Sequence, residues 1–196
     1  MSRRYGGRNQ SRTMLILTEG PSEVEYFNMF RGRNRHVTVV PLVAKKHDPR
    51  NLVPYCSSKA YERGIDLENG DSVSVVIDVD DRTDSELMDI ERQCRERGYE
   101  LYLSKRSFEC WLILHFRKLT KAMTQEELES ELSECIGHRY RKSEGICKMI
   151  TEESVRSAIE RAGKIISDDE GCNNKCMHQD PSTAVHFLVK RILEVS

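Results

Sequence analysis

Ser74-Val75-Val76-Ile77-Asp78-Val79-Asp80-Asp81 is a β-branched apolar run that ends abruptly in acid. Val75, Val76, Ile77 and Val79 suit a strand buried on both faces, as in a parallel sheet. Side chains alternate along a strand, so Asp78 and Asp80 are expected to point the same way, about 6.5 Å apart. Two carboxylates on one side of a strand end repel each other unless a cation sits between them. Magnesium takes hard oxygen ligands, and this pair offers two. The plainer alternative is that the acids mark the passage from strand to loop.

Outward from this run the order of elements repeats. Met14-Leu15-Ile16-Leu17 is a short buried-strand run that exits at Thr18-Glu19-Gly20-Pro21-Ser22-Glu23. Gly20 and Pro21 form a sharp exit, and Ser22 with Glu25 reads as a capping box opening a helix. Glu19 is then placed at the carboxyl end of a strand just before a helix, the edge at which open α/β sheets bind ligands. Glu23 falls in the first helical turn, where an acid is favourable in any case. Val37 to Val43 is a second strand, followed by Lys45-Lys46-His47, which could touch phosphates or be a solvated loop. A helix is expected from Asp48 to about Arg63. After the acidic strand come a polar helix from about Ser85 to Arg97 and a fourth strand, Leu101-Tyr102-Leu103, ending at Ser104-Lys105-Arg106.

Alternation of strand and helix argues for an α/β fold: a parallel sheet of about four strands with helices on both faces. Right-handed crossovers place all the strand carboxyl ends on one edge. Glu19, Lys45, Asp78, Asp80 and Lys105 gather there, and the acids converge if the first and third strands are neighbours.

Beyond Arg106 the pattern becomes helical. Phe108, Trp111, Leu112, Leu114, His115 and Phe116 form a dense apolar segment in which Glu109 is the polar exception. Burying a lone carboxylate costs several kcal/mol, so Glu109 is expected to be paired, protonated or metal-bound. His115 reads as a packed histidine. Helices are expected over 124–136 with Thr124 as cap, over 152–166 capped by Thr151, and after Ser182-Thr183. A basic loop or short helix, Arg139 to Lys148, lies between the first two. Residues 167–181 read as a polar loop, and Cys172, Cys176 and His178 in it match no common zinc spacing. The division expected is a basic flexible tail at 1–12, an α/β core at 13–106, and a helical extension packed on the core at 107–196.

Composition narrows the function. The 196 residues carry a formal net charge of -1, with 38% hydrophobic and 32% charged residues. The first fifty hold ten Lys and Arg against four Asp and Glu, a net of +6, which leaves -7 for the rest. A basic arm on an acidic-sited body is one way to hold a polyanion near a metal. No run of 18 apolar residues is present, so no transmembrane helix is expected, and Met1 to Arg12 lacks the apolar stretch of a secretory signal. Seven unpatterned cysteines fit a reducing cytoplasm. No Gly-rich phosphate loop followed by Lys and Ser or Thr is present, so no intrinsic ATPase is expected.

Glu19-Gly20-Pro21-Ser22-Glu23 and Asp78-Val79-Asp80 resemble the two halves of the Toprim signature, shared by topoisomerases, bacterial-type primases and OLD-family nucleases. The fuller pattern is similar to the RloB-like branch. It adds Tyr26-Phe27 after the first motif, Phe108-Glu109-Cys110-Trp111-Leu112 with His115-Phe116, and Pro181-Ser182-Thr183-Ala184-Val185. Ser104-Lys105-Arg106-Ser107 departs from it where an Asn-Pro-type turn is the pattern. The resemblance implies that Glu19, Asp78 and Asp80 hold Mg²⁺ or Mn²⁺ and that Glu23 and Glu109 complete the metal shells. Two ions would clamp a scissile phosphate in DNA or RNA. Apart from the resemblance, Lys105 at the end of the fourth strand is expected to stabilise the developing charge, as a cation does in phosphoryl transfer generally. The resemblance also implies phage defence beside an ABC-type ATPase. The competing expectation is a non-catalytic Toprim-like regulatory subunit of such an ATPase. Either form could be a homo-oligomer.

Overall fold

The computed structural model describes residues 11–32, 36–44, 49–79, 82–143, 145–167 and 172–194. Four parallel strands alternate with helices in its first half: β1 (Arg12–Thr18), α1 (Pro21–Asn28), β2 (Val37–Val43), α2 (Pro49–Glu62), β3 (Ser72–Asp78), α3 (Asp84–Glu96) and β4 (Glu100–Lys105). The second half is mostly helical. It comprises α4 (Glu109–Leu114), α5 (Gln125–Ile136), a 3₁₀ turn (Ile146–Met149), α6 (Glu152–Gly163), α7 (Cys172–His178), β5 (Ser182–Thr183) and α8 (Val185–Glu194).

The five strands form one sheet in the order β2-β1-β3-β4-β5. β1 and β3 are parallel neighbours, with Leu17 opposite Val75 and Thr18 opposite Val76. That adjacency carries the expected convergence of the acidic strand ends. Leu15, Ile16, Leu17, Val75, Val76 and Ile77 are all buried, because these central strands are covered on both faces. Right-handed crossovers set α1 on one face and α2 with α3 on the other. α4 shares the face of α1, where the Tyr26 ring meets Phe108 and Trp111 edge-on at 5.6 and 6.0 Å.

Several local expectations are corrected. Ser22 is not a cap: Gly20 is the N-cap, Pro21 supplies the first helical residue, and no side chain caps the helix. Proline suits that position because its missing N–H would have no intrahelical partner. The Ser22 hydroxyl instead accepts the Ser143 N–H at 3.2 Å. Residues 172–178, read as loop, form α7, whose Asn173 side chain donates to the Leu101 carbonyl of β4 at 3.0 Å. Ser182 and Thr183 are a fifth, antiparallel strand on β4, although Thr183 Oγ1 also accepts the Val185 N–H at the start of α8. The caps expected at Thr124 and Thr151 are present. Arg12, counted with the basic tail, begins β1; residues 1–10 of that tail and the Lys45-Lys46-His47 cluster lie outside the described residues.

Candidate functional site

At the carboxyl edge of β1 and β3 a cavity of about 240 Å³ is lined by Glu19, Glu23, Asp78, Phe108, Glu109 and Lys142, together with Gly20 to Ser22. Glu19 leaves the end of β1 and reaches across to β3, where its Oε2 accepts the backbone N–H of Asp78 at 2.7 Å. The side chain of Glu23 folds back over the chain from the first turn of α1. A Cβ on Gly20 would stand 2.8 Å from Glu23 Oε2, so the missing side chain at Gly20 is what admits the carboxylate. Asp78 is the last residue of β3, half-buried at the cavity wall. β3 ends there, and Asp80 lies outside the described residues.

Glu109 begins α4 and is 2% exposed. As its burial demanded, it is paired: Ser107 Oγ donates at 2.8 Å, Tyr140 Oη at 3.1 Å, and Lys142 Nζ stands 3.5 Å away. Tyr140, Lys142 and Ser143 belong to the loop after α5, which Ser143 fastens to α1. Burial, and then the Glu109 charge, push the Tyr140 hydroxyl above its ordinary pKa, so it stays a donor. Burial pushes Glu23 up to about 7, with Glu109 and Glu19 adding to the rise. Burial pulls the Lys142 ammonium down, but Glu109, Asp78 and Glu23 outweigh it, and its pKa ends above the ordinary value.

Arg82 completes the edge. Its Nη1 donates to Glu19 Oε2 at 3.2 Å and to the Asp78 carbonyl at 2.8 Å, while Nη2 pairs with Glu19 Oε1. Among the described residues four carboxylates thus meet two cations, an excess of two negative charges if all ionise. Among the described residues no three His, Cys, Asp or Glu side chains converge closely enough to hold an ion by themselves. The donor set nevertheless fits a hard cation: oxygen ligands only, net negative, with the Glu23 carboxyl held toward its neutral form by burial.

The structure brings Glu19, Glu23, Asp78 and Glu109 together. Lys105 is not in this group. It pairs with Ser182 of β5, and its Nζ faces the Met177 carbonyl of α7 at 3.3 Å. Among the described residues the cations at the edge are Lys142 and Arg82, neither of which the sequence motifs mark. Arg82 had a local signal, standing directly after the acidic run. Lys142 had only the basic character of its loop.

Two other expectations have clear outcomes. His115 is a packed residue: its Nδ1–H faces the Trp111 carbonyl at 3.0 Å and its Nε2 accepts from Tyr26 Oη at 3.1 Å. Burial pushes it down to about 4, so the ring is neutral. Cys176 is buried, with its thiol pushed up to about 12, and His178 is exposed, while the Cys172 side chain lies outside the described residues.

No curated protein and no solved structure matches this chain. A family model for RloB-like proteins matches residues 14–192, from β1 through α8, and the chain therefore belongs to the RloB-like protein family.

Proposed function

We propose that this protein is a Mg²⁺- or Mn²⁺-dependent nuclease of the Toprim type that hydrolyses phosphodiesters of DNA or RNA. One observation carries the reading: Glu19, Glu23, Asp78 and Glu109, drawn from β1, α1, β3 and α4, line a single cavity beside Lys142. These are four of the five acids that the Toprim and RloB-like resemblance designates as ligands. Asp80 would join them. Glu19, Glu23, Asp78 and Glu109 would hold the divalent ion, which would supply Lewis-acid polarisation of the phosphodiester and activation of water.

The chain's own groups prepare that chemistry. Ser107 and Tyr140 fix the orientation of Glu109. Lys142, half-exposed at the mouth, offers an ammonium to the non-bridging oxygens of an entering phosphate, the role first expected of Lys105. Phe108 forms an apolar wall that limits water. The basic first quarter of the sequence supplies attraction for a polyanion. The six cysteines with described side chains are free thiols, in keeping with a reducing cytoplasm, and none of the described helices is long and apolar enough to cross a membrane. A role in phage defence with an ABC-type ATPase partner, and self-association, belong to this same proposal.

A second reading has one observation in its favour. Arg82 and Lys142 already neutralise Glu19 and Glu109, as they would in a non-catalytic regulatory subunit. Purified protein incubated with labelled single- and double-stranded DNA and RNA and Mn²⁺ separates the two. A nuclease cleaves at least one substrate, loses cleavage with chelator, and falls by about 100-fold or more in Asp78→Ala and Glu19→Ala. Metal-independent cleavage, or cleavage that survives both substitutions, would sink the nuclease reading. No cleavage alone or with the partner ATPase would favour the regulatory one.

A further inference from the structure

Arg82 holds Glu19 in a way that bears on metal entry. A carboxylate has about four lone-pair positions. On Glu19, Nη1 of Arg82 and the Asp78 N–H both occupy Oε2, and Nη2 of Arg82 occupies Oε1. Three positions are filled, and the oxygen beside Asp78 has none left. The pair is largely buried, with side chains 12% and 13% exposed, and a guanidinium bound to both oxygens is the firm form of such a contact. Lys142 differs: its side chain is 55% exposed and its ammonium stands 3.5 Å from Glu109, a contact that solvent weakens. Arg82 Nε is buried with no hydrogen-bond partner, so turning the guanidinium outward would let water satisfy a group now left unpaired.

The geometry points to Arg82 as a counter-cation latch: it occupies the Glu19 lone pairs that a divalent ion needs, and the ion binds with displacement of Arg82 from Glu19. This rests on the reading of the cavity as a metal site. Only molecules with Arg82 released bind the ion through Glu19, so the latch lowers apparent affinity by the fraction released. It also keeps the Glu19 carboxylate neutralised when no ion is available.

Titration calorimetry with Mn²⁺ on the full chain tests this. Arg82→Gln, which removes the charge but keeps donors for the Asp78 carbonyl, binds Mn²⁺ tighter than the wild type by about tenfold or more. Arg82→Lys, a single-point contact, falls between them. Weaker or equal binding in Arg82→Gln, with wild-type binding intact, overturns the latch and makes Arg82 a residue that holds Glu19 in its ligand pose. No binding by either form sinks the metal-site reading itself. A wild-type measurement covers the case in which Arg82→Gln does not fold. The Arg82 side-chain N–H resonances lose protection from solvent exchange as Mg²⁺ saturates the protein, and their persistence in the loaded protein overturns the latch.

Discussion

At the scale of single residues, two buried groups titrate in opposite senses and leave a signature in stability. Glu23 is raised from its ordinary 4.5 to about 7, so the native, metal-free protein holds a proton there that the unfolded chain has lost. Stability from this group is full below 4.5 and is lost as pH rises through 7. His115 is lowered from 6.5 to about 4, so between those values the unfolded chain binds the proton and the native one does not. Its contribution is lost as pH falls from 6.5 toward 4. At about 1.4 kcal/mol per pH unit each span corresponds to roughly 3 kcal/mol. The two slopes overlap and offset each other between 4.5 and 6.5, so metal-free wild type is expected to show a nearly flat urea midpoint there. Glu23→Gln exposes the histidine slope, losing stability toward pH 4.5 and exceeding wild type above pH 7. His115→Gln exposes the other, losing stability from pH 4.5 to 7. Urea titrations of the three proteins in chelator at pH 4.5, 6 and 8 check this; a Glu23→Gln variant no more stable than wild type at pH 8 refutes the buried-acid account. Gly20 is the companion test. Gly20→Ala forces Glu23 from its place, and Mn²⁺ affinity measured by calorimetry is expected to fall about tenfold, with the fold intact by circular dichroism.

At the scale of elements, the site depends on α4 and on the loop after α5. A six-residue helix is too short to stand by its own hydrogen bonds, so α4 persists through burial, with every residue from Glu109 to Leu114 inside. Glu109 sits in its first turn, where the positive helix end favours an acid. The loop carrying Tyr140 and Lys142 closes over it and is tied to α1 through Ser22 and Ser143. Tyr140→Phe removes one of the three groups that satisfy Glu109. The expected cost is about 1–2 kcal/mol in urea unfolding. The double variant with Glu109→Gln should lose less than the sum of the single changes, because the two side chains share one contact. Strict additivity would show that the hydroxyl does not serve Glu109. Lys105 illustrates how tertiary pairing redirects a cation expected at the site. Its position at a strand's carboxyl end was right, but pairing with β5 turns the end of β4 toward α7, and nothing in residues 100–106 announces a strand arriving from residue 182.

At the scale of the whole molecule, the second half of the chain is part of the fold that carries the site. Trp111 is fully buried and its ring contacts Tyr26 of α1; β5 completes the sheet beside β4; and the buried His186 ring, facing the carbonyls of Thr183 and Ile166, joins α8 to the segment after α6. A fragment ending at Arg106 would expose one face of the sheet and the aromatic cluster of α1. It is expected to lack cooperative thermal unfolding and to bind a hydrophobic dye, where the full chain shows a single transition. A cooperative melt for that fragment would show that the first half stands alone.

The apolar runs, their acidic ends and the spacing of turn residues determined the alternating α/β architecture and the carriers of four of the acids. Those features are local: β-branched alternation and helix caps act over a few residues and read directly from the chain. Tertiary structure alone decided the counter-charges. Lys142 reaches the cavity from a loop far along the chain, Arg82 turns back onto Glu19, and Lys105 turns away toward Met177. Long flexible cations go where desolvated carboxylates attract them, and that field exists only after β1, β3, α1 and α4 have been brought together.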